Sequence, residues 1–363
     1  MTESCEANGP APMEGHGAYN RSSRVQAAGS SPAVPLLERA AREVALPLSP
    51  EPLVIVDYGS SAGRNSLLPL GVAISVLRDR VGSDRAVSVV HTDLPDNDFS
   101  ALFQILASDP DSYVHDDPGV FPCAVGRSFY EQILPSSSVT LGWSSWAVQW
   151  LSRVPALIPD QVQVAYSQDA GVRSAFYQQA ADDWRRFLLH RAAELRPGGR
   201  LVVLSMALDD HGDFGYKPCV VAIYGAVLDL VDEGFITEDE ARRMVIPTVG
   251  RSRQDFTAPF AESRSFADLR LEEIDVFYGE DRIWTEFQSH GDARMYAARW
   301  AAFSRASVCP TLAASLDGKE VRAAEFIDRI EARMIARLKV APEPMLIPLA
   351  KMVLVKEASQ SSA

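Results

Sequence analysis

Cysteine is scarce: Cys5, Cys123, Cys219 and Cys309 are scattered through 363 residues, and no two form a CxxC pair. That spacing indicates neither a zinc knuckle nor a disulfide framework, so reduced thiols are the expectation. Positive charge is also in deficit, with a net charge of -13 at pH 7. A nucleic-acid footprint would be basic and clustered, so nucleic acid is not an expected partner. A local site can still oppose the net charge, which leaves room for an anionic small substrate. No apolar run is long enough to span a bilayer, and no basic segment followed by an apolar one opens the chain. Neither a membrane partner nor a signal peptide is expected, and a cytoplasmic location follows as the simplest reading. The six histidines share no metal-like spacing and read as structural or exposed. Internal repeats are lacking as well.

What is present is an ordinary apolar fraction of 47%, enough for a sizeable core in one large domain or two small ones. The first dozen residues and the last seven are small and polar and read as frayed ends. Between them the pattern alternates. Apolar strands are expected over 53–59, 86–93, 121–126, 139–145 and 201–206, and helices over 65–81, 98–106 and 176–195. Asp96 or Asn97 is a plausible cap for the second helix, and Arg196-Pro197-Gly198-Gly199 a stop for the third. Such alternation predicts an α/β fold with a mostly parallel sheet covered by helices on both faces. Beyond Leu208 the pattern changes to helices over 220–235 and 318–340 and late strands over 269–277 and 345–355. An α/β core carrying an inserted helical cap is the simplest assembly.

The stretch VDYGSSAGRNS at 56–66 is the first candidate for chemistry. A phosphate-binding loop needs GxxxxGK[ST], and no lysine follows Gly63. A dinucleotide fingerprint needs GxGxxG, whose middle glycine lets the backbone approach the pyrophosphate; Ser61 stands there instead. A nucleoside without phosphates remains, and S-adenosylmethionine (SAM) is such a ligand. Its ribose hydroxyls call for an acceptor at the end of the second strand, where Asp93 stands in VVHTDLP. Its ammonium and sulfonium call for acidic or carbonyl oxygens near the first turn, which Asp57 and its backbone can supply. A merely tight turn, and an Asp93 that only forms a turn before Pro95, are the plainer readings.

Further motifs extend along the chain: YNRSSRVQ at 19–26, DLPDNDF at 93–99, VGRSFY at 125–130, SSWAVQWLSRVP at 144–155, RPGGR at 196–200 and Ile246-Pro247. In this order the sequence resembles the SABATH methyltransferases, the family of salicylate, benzoate, jasmonate and theobromine enzymes. The matches are to YxxxSxxQ, DLGCSSGPN, DLPxNDF, PGSFY and SSYSLxWLSxVP. The combination of DLPxNDF with SxxxxWLSxVP, correctly spaced, carries most of the specificity.

The resemblance implies a Rossmann-like class I methyltransferase sheet with an inserted α-helical cap. It divides the chain into a lid at 1–35, a SAM-binding core at 36–210 with 266–280 and 344–357, and a cap at 211–265 and 281–343. It also implies roles. Tyr19 and Ser23 would close over the cofactor. Gly59, Ser60 and Asn65 would hold its methionine end, with Asp57 nearby. Asp93 would take the ribose hydroxyls, Leu94 would pack on the adenine, and Ser128 and Phe129 would flank it. Gln26 and Trp150 would hold the acceptor carboxylate through an amide and an indole N–H. Core packing alone would equally account for Trp150 or Phe129, and Gln26 could lie on a loose surface segment. Asp98 reads as a helix cap rather than a ligand contact. Homodimers are common in the family, so a homodimer is expected by analogy.

Departures from the pattern bear on specificity. Ser60 replaces the turn cysteine. Trp146 replaces a pocket tyrosine, and Gln149 a His or Met. Glu14 stands where a lysine is frequent. Ser174, Arg242 and Val245 stand at positions that hold magnesium in some members, so no metal is expected. The implied activity is SAM-dependent methyl-ester formation on a small, partly apolar carboxylic acid. Such an acid is ionised at neutral pH and needs no general base. N-methylation of a heterocycle, a non-catalytic SAM binder and an NAD-dependent oxidoreductase are the competing readings.

Overall fold

The β-branched run Leu53-Val54-Ile55-Val56 is buried almost without interruption, as a central parallel strand requires. In the structure, a computed structural model describing residues 31–115 and 117–358, it forms β1 (Leu53–Tyr58). The other strands are β2 (Val87–Asp93), β3 (Val120–Gly126), β4 (Val139–Ser145), β5 (Leu195–Met206), β6 (Ser265–Phe266), β7 (Leu269–Tyr278) and β8 (Pro348–Lys356). They make an eight-stranded sheet in the order β3-β2-β1-β4-β5-β8-β7-β6. The first five pair in parallel, and β8, β7 and β6 add antiparallel to β5. This is the α/β arrangement, with a mostly parallel sheet, expected from the sequence.

Strand order reverses between β1 and β4, and the crevice beyond their carboxyl ends is where open α/β sheets bind ligands. Asp57 stands beside Trp143 on β4 and His91 on β2. The glycine turn and the SSWAVQW segment therefore leave the sheet as neighbours.

Helices α1 (Val34–Glu43), α2 (Leu67–Val81), α3 (Phe99–Ser108) and α4 (Ala170–Glu194) accompany the parallel strands. Between β5 and β7 come α5 (Lys217–Asp232), α6 (Glu238–Arg243) and α7 (Arg253–Thr257). Between β7 and β8 come α8 (Arg282–His290), α9 (Ala293–Ser307), α10 (Cys309–Ala313) and α11 (Lys319–Leu338). The late elements thus lie close to their expected positions, on either side of β7.

Several boundaries differ for physical reasons. Helix α4 starts at Ala170 rather than 176, because Asp169 caps it and accepts from the Val172 N–H. It stops as expected, but RPGGR continues straight into β5 instead of a loop. The cap of α3 is neither Asp96 nor Asn97: Asp98 accepts from the Ala101 N–H at 2.9 Å. Strand β8 begins at Pro348, later than expected.

One apolar cluster joins Trp143 and Leu204 of the sheet to Tyr216, which precedes α5, and to Ile223 and Trp300 of the late helices. The opposite face of the sheet holds a second cluster, with Tyr58, Trp184 and Phe187. The late helices therefore share a core with the sheet. None of the described helices is long and apolar enough to cross a membrane.

Candidate active site

The turn after β1 is folded by its backbone. The N–H groups of Gly59 and Ser60 both donate to the Thr92 carbonyl at 2.9 Å. Gly59 has φ +89, and a Cβ there would lie 2.4 Å from the Ala147 Cβ. Glycine is thus required by the turn conformation and by the close approach of the Ala147 wall. A polar recess of about 360 Å³ opens beside it, lined among others by Asp57, Gly59, Ser60, Asn65, Trp143 and Trp146. The Ser60 hydroxyl is buried and has no hydrogen-bond partner among the described residues. An unsatisfied buried hydroxyl is costly, and a polar ligand in the recess would satisfy it.

Acidic groups flank this recess. Asp57 is 2% exposed and lies 3.0 Å through Oδ2 from His91 Nδ1. The other ring nitrogen of His91 lies 2.6 Å from the Tyr113 hydroxyl. A neutral imidazole carrying its proton on Nδ1 satisfies both contacts: it donates to the carboxylate and accepts from the phenol. Asp93 accepts from the Ser61 N–H at 2.7 Å and the Leu94 N–H at 2.8 Å, one bond to each carboxylate oxygen. Burial pushes its pKa up to about 6 against these two bonds, and the Asp57 charge adds to the rise. Each oxygen keeps a lone pair for a ribose hydroxyl. The donor and acceptor set therefore fits an adenosine bearing an amino-acid tail.

The wall opposite starts at Trp146, whose φ of +58 is an uncommon backbone conformation for a bulky residue. Such strain persists where the surroundings fix it, and it clusters at functional sites. Here the restraints are explicit. Trp146 N–H donates to the Leu204 carbonyl at 3.0 Å. Buried Arg251 donates to the Val148 carbonyl at 2.6 Å and through two nitrogens to the Ala180 carbonyl. The Tyr130 hydroxyl donates to the Trp150 carbonyl at 2.5 Å. Leu151 N–H donates to the Pro247 carbonyl, and Val249 N–H to the Gln149 carbonyl. Ile246-Pro247 thus belongs to a clamp on this wall. Asp183 accepts from both the N–H and the hydroxyl of Ser152.

Behind the wall lies a second recess, of about 600 Å³, lined by Trp146, Gln149 and Trp150 together with Tyr216, just before α5, and late-helix residues that include Ile223. No charged side chain is among the described residues of its lining. Trp146 belongs to both recesses and joins them.

The sequence-derived residues fall into three groups. Asp57, Gly59, Ser60, Asn65 and Trp146 line the first recess, and Trp146, Gln149 and Trp150 the second. Asp93 joins the first through the Ser61 N–H. Gln149 is turned inward: its amide donates to the Trp146 carbonyl at 2.6 Å and accepts from the Ser205 hydroxyl. It supports the wall. Leu94, Ser128 and Phe129 do not line either recess. Ser128 accepts from the Tyr130 N–H, and Phe129 contacts Tyr130 and Phe187 and lies against Gly59. Tyr19, Ser23, Gln26 and Glu14 lie outside the described residues.

Sequence reading missed the supports. His91 reads from sequence as one of six unremarkable histidines. Arg251 and Asp183 carry no local signal. Nor does the buried pair Arg191–Glu194, which holds the Phe129 loop: Arg191 donates to the Phe129 and Glu131 carbonyls. Among the described residues no cluster of three His, Cys, Asp or Glu could hold a metal ion. Arg242 is ion-paired to Glu238 and Asp239, and Val245 is buried.

A family profile described as SAM dependent carboxyl methyltransferase matches residues 9–352. The chain belongs to this family. Its relatives include Methyltransferase LUC1 of a Fusarium species, 32% identical over 67% of this chain and 65% of that protein. A benzoic acid/salicylic acid carboxyl methyltransferase of Petunia hybrida is 30% identical over 71% of this chain and 76% of its own length. Indole-3-acetate O-methyltransferase 1 of Arabidopsis thaliana is 27% identical over 90% of this chain and 89% of its own length. The match thus spans just under two thirds of the Fusarium protein. A solved loganic acid methyltransferase with SAH has the same fold, with a TM-score of 0.78 at 20% identity over 96% of this chain and all of that one. The family's cofactor is SAM.

Proposed function

We propose that the chain is a carboxyl O-methyltransferase that converts a small, partly apolar carboxylic acid to its methyl ester by direct in-line transfer. The observation that carries this reading is the pairing of the two recesses across Trp146. One is polar and acidic; the other is apolar and bears no charged side chain among its described lining residues. SAM, when bound, supplies a methyl group on a positively charged sulfur that needs no further activation.

The protein's work is then placement. Asp57 faces the cationic end of the ligand, and Asp93 its ribose. Ser60 and Asn65 hold the methionine portion, beside Tyr19 and Ser23 of the N-terminal segment. Leu94, Ser128 and Phe129 flank the adenine. The Trp150 indole N–H, with the Gln26 amide, holds one oxygen of the acceptor carboxylate. Neutral donors orient that oxygen without neutralising it. An acid of pKa about 4 arrives ionised, so no general base is assigned. Alignment and water exclusion can supply several kcal/mol of the barrier reduction. The division into lid, core and cap at the boundaries inferred from sequence, cytoplasmic residence and homodimerisation form part of this proposal.

Incubation with methyl-labelled SAM and a panel of carboxylic acids and xanthines tests the reading. Labelled methyl esters are expected. Methylated xanthines without esters would replace it with N-methylation, and SAM binding without any product would replace it with a binding role.

A further inference from the structure

Among the described residues that line the second recess, Tyr216 carries a fully buried polar atom whose needs its neighbours do not meet. The Tyr216 hydroxyl is buried, in a residue 5% exposed, and has no hydrogen-bond partner among the described residues. The amides of the lining residues Gln149 and Gln163 donate to the carbonyls of Trp146 and Thr248. The hydroxyls of Ser304 and Ser307 donate to the carbonyls of Trp300 and Phe303 within their own helix. Tyr216 alone among these lacks such a bond, and its ring is fixed. It stacks on Phe303 at 6.0 Å and meets Trp300 edge-on at 6.4 Å. Its N–H donates to the Tyr166 hydroxyl at 3.0 Å. The adjoining Gly215 has φ +81, and a Cβ there would lie 2.2 Å from the Leu346 carbonyl oxygen, so the backbone leading into Tyr216 is fixed too.

A rigid phenol cannot swing away to find another partner. Leaving its polar atom unmatched carries the usual cost of a buried unpaired group. Sites built this way discriminate strongly, because an analogue without the matching group leaves the protein's own group unpaired. The absence of charged side chains among the described lining residues adds a second restriction: another anionic group on the acceptor would be buried against them without a counter-charge.

We propose that Tyr216 is a specificity-determining residue. Its hydroxyl anchors a neutral hydrogen-bonding group of the acceptor, a hydroxyl, carbonyl or ring N–H separate from the carboxylate. The acceptor is accordingly a monocarboxylic acid with one such group on an otherwise apolar body. This rests on the proposed ester-forming reading for the carboxylate, but the anchor itself is a binding property.

The test is calorimetric titration of SAH-saturated protein with matched acids: phenylacetate against 4-hydroxyphenylacetate, benzoate against 3-hydroxybenzoate, and indole-3-acetate against its N-methyl derivative. In at least one pair the member with the extra hydrogen-bonding group is expected to bind about tenfold or more tightly. Tyr216→Phe should bring that pair to within about twofold, leaving the affinity of the member without the group unchanged and the melting temperature of the ligand-free protein the same or higher. Equal affinities throughout, no measurable binding of any member, or a preference that survives Tyr216→Phe would each overturn the inference. A preserved preference without ester formation would instead overturn the proposed reaction and leave the Tyr216 anchor standing.

Discussion

His91 Nδ1 lies 3.0 Å from Asp57 Oδ2, and both residues are buried where β1 and β2 run side by side. The histidine thereby fixes the orientation of a carboxylate that borders the cofactor recess, and Tyr113 fixes the histidine from behind. Removing the ring leaves a buried carboxylate without its donor. His91→Ala is expected to cost about 2–4 kcal/mol of stability in denaturant titration, in line with loss of a hydrogen bond to a buried charge. Tyr113→Phe, which removes a neutral partner, should cost about 1 kcal/mol. In a folded His91→Gln protein, SAH should bind more weakly, while the analogue lacking the amino group should be little affected.

Asp93 gives a pH dependence of definite sign. Its pKa in the ligand-free fold is about 6, above the ordinary aspartate value, so the native state holds this proton more tightly than the unfolded chain. Its contribution to stability is therefore greatest below pH about 4 and falls as pH rises to about 6. Ribose hydroxyls donating to the carboxylate favour its ionised form. SAH affinity should weaken as pH drops below about 6, by up to about tenfold per unit, with proton release on binding near that pH. Calorimetry in buffers of different ionisation enthalpy reads both quantities. Asp93→Asn should bind SAH more weakly and lose the pH dependence.

Gly59 tests whether the turn is fixed by packing. Gly59→Ala places a methyl group against Ala147 in a left-handed backbone conformation. A loss of at least about 2 kcal/mol is expected, with weaker SAH binding. Gly63→Ala also has unfavourable φ, but its methyl meets the end of the Leu102 side chain, which can move. It should be the milder of the two in thermal denaturation.

Arg251 ties the wall of the acceptor recess to α4 through the Val148 and Ala180 carbonyls. Arg251→Met removes these bonds and leaves buried carbonyls unpaired. A cost of about 3 kcal/mol is expected. At a temperature where the variant is folded, the KM for the acid should rise more than the KM for SAM.

Trp150→Phe keeps an aromatic ring and deletes the donor assigned to the carboxylate. A fall of about 10- to 100-fold in kcat/KM for the acid is expected, with SAH affinity unchanged in calorimetry. A comparable fall is expected for Gln26→Ala.

Much of the architecture was legible before the structure. Strands β1 to β5, the helices around 217–232 and 319–338 and the late strands fall near their expected positions, because apolar periodicity and turn residues are local signals. Capping decided the helix starts: Asp169 begins α4 earlier than expected, and of the three candidates Asp96, Asn97 and Asp98 it is Asp98 that caps α3. The residues of the glycine-turn and tryptophan motifs line the two recesses together, since each motif is contiguous in the chain.

The sequence by itself determined a parallel α/β core, the polar turn after β1 and the acid ending β2, because each is written in a short segment with its own conformational preference. Tertiary structure alone decided that His91 faces both Asp57 and Tyr113, that Gln149 turns inward, that Arg251 grips Val148, and that the late helices share the core of the sheet. Each of these depends on segments brought together from distant parts of the chain. A buried polar group takes whichever partner the fold delivers, and no local preference names that partner in advance.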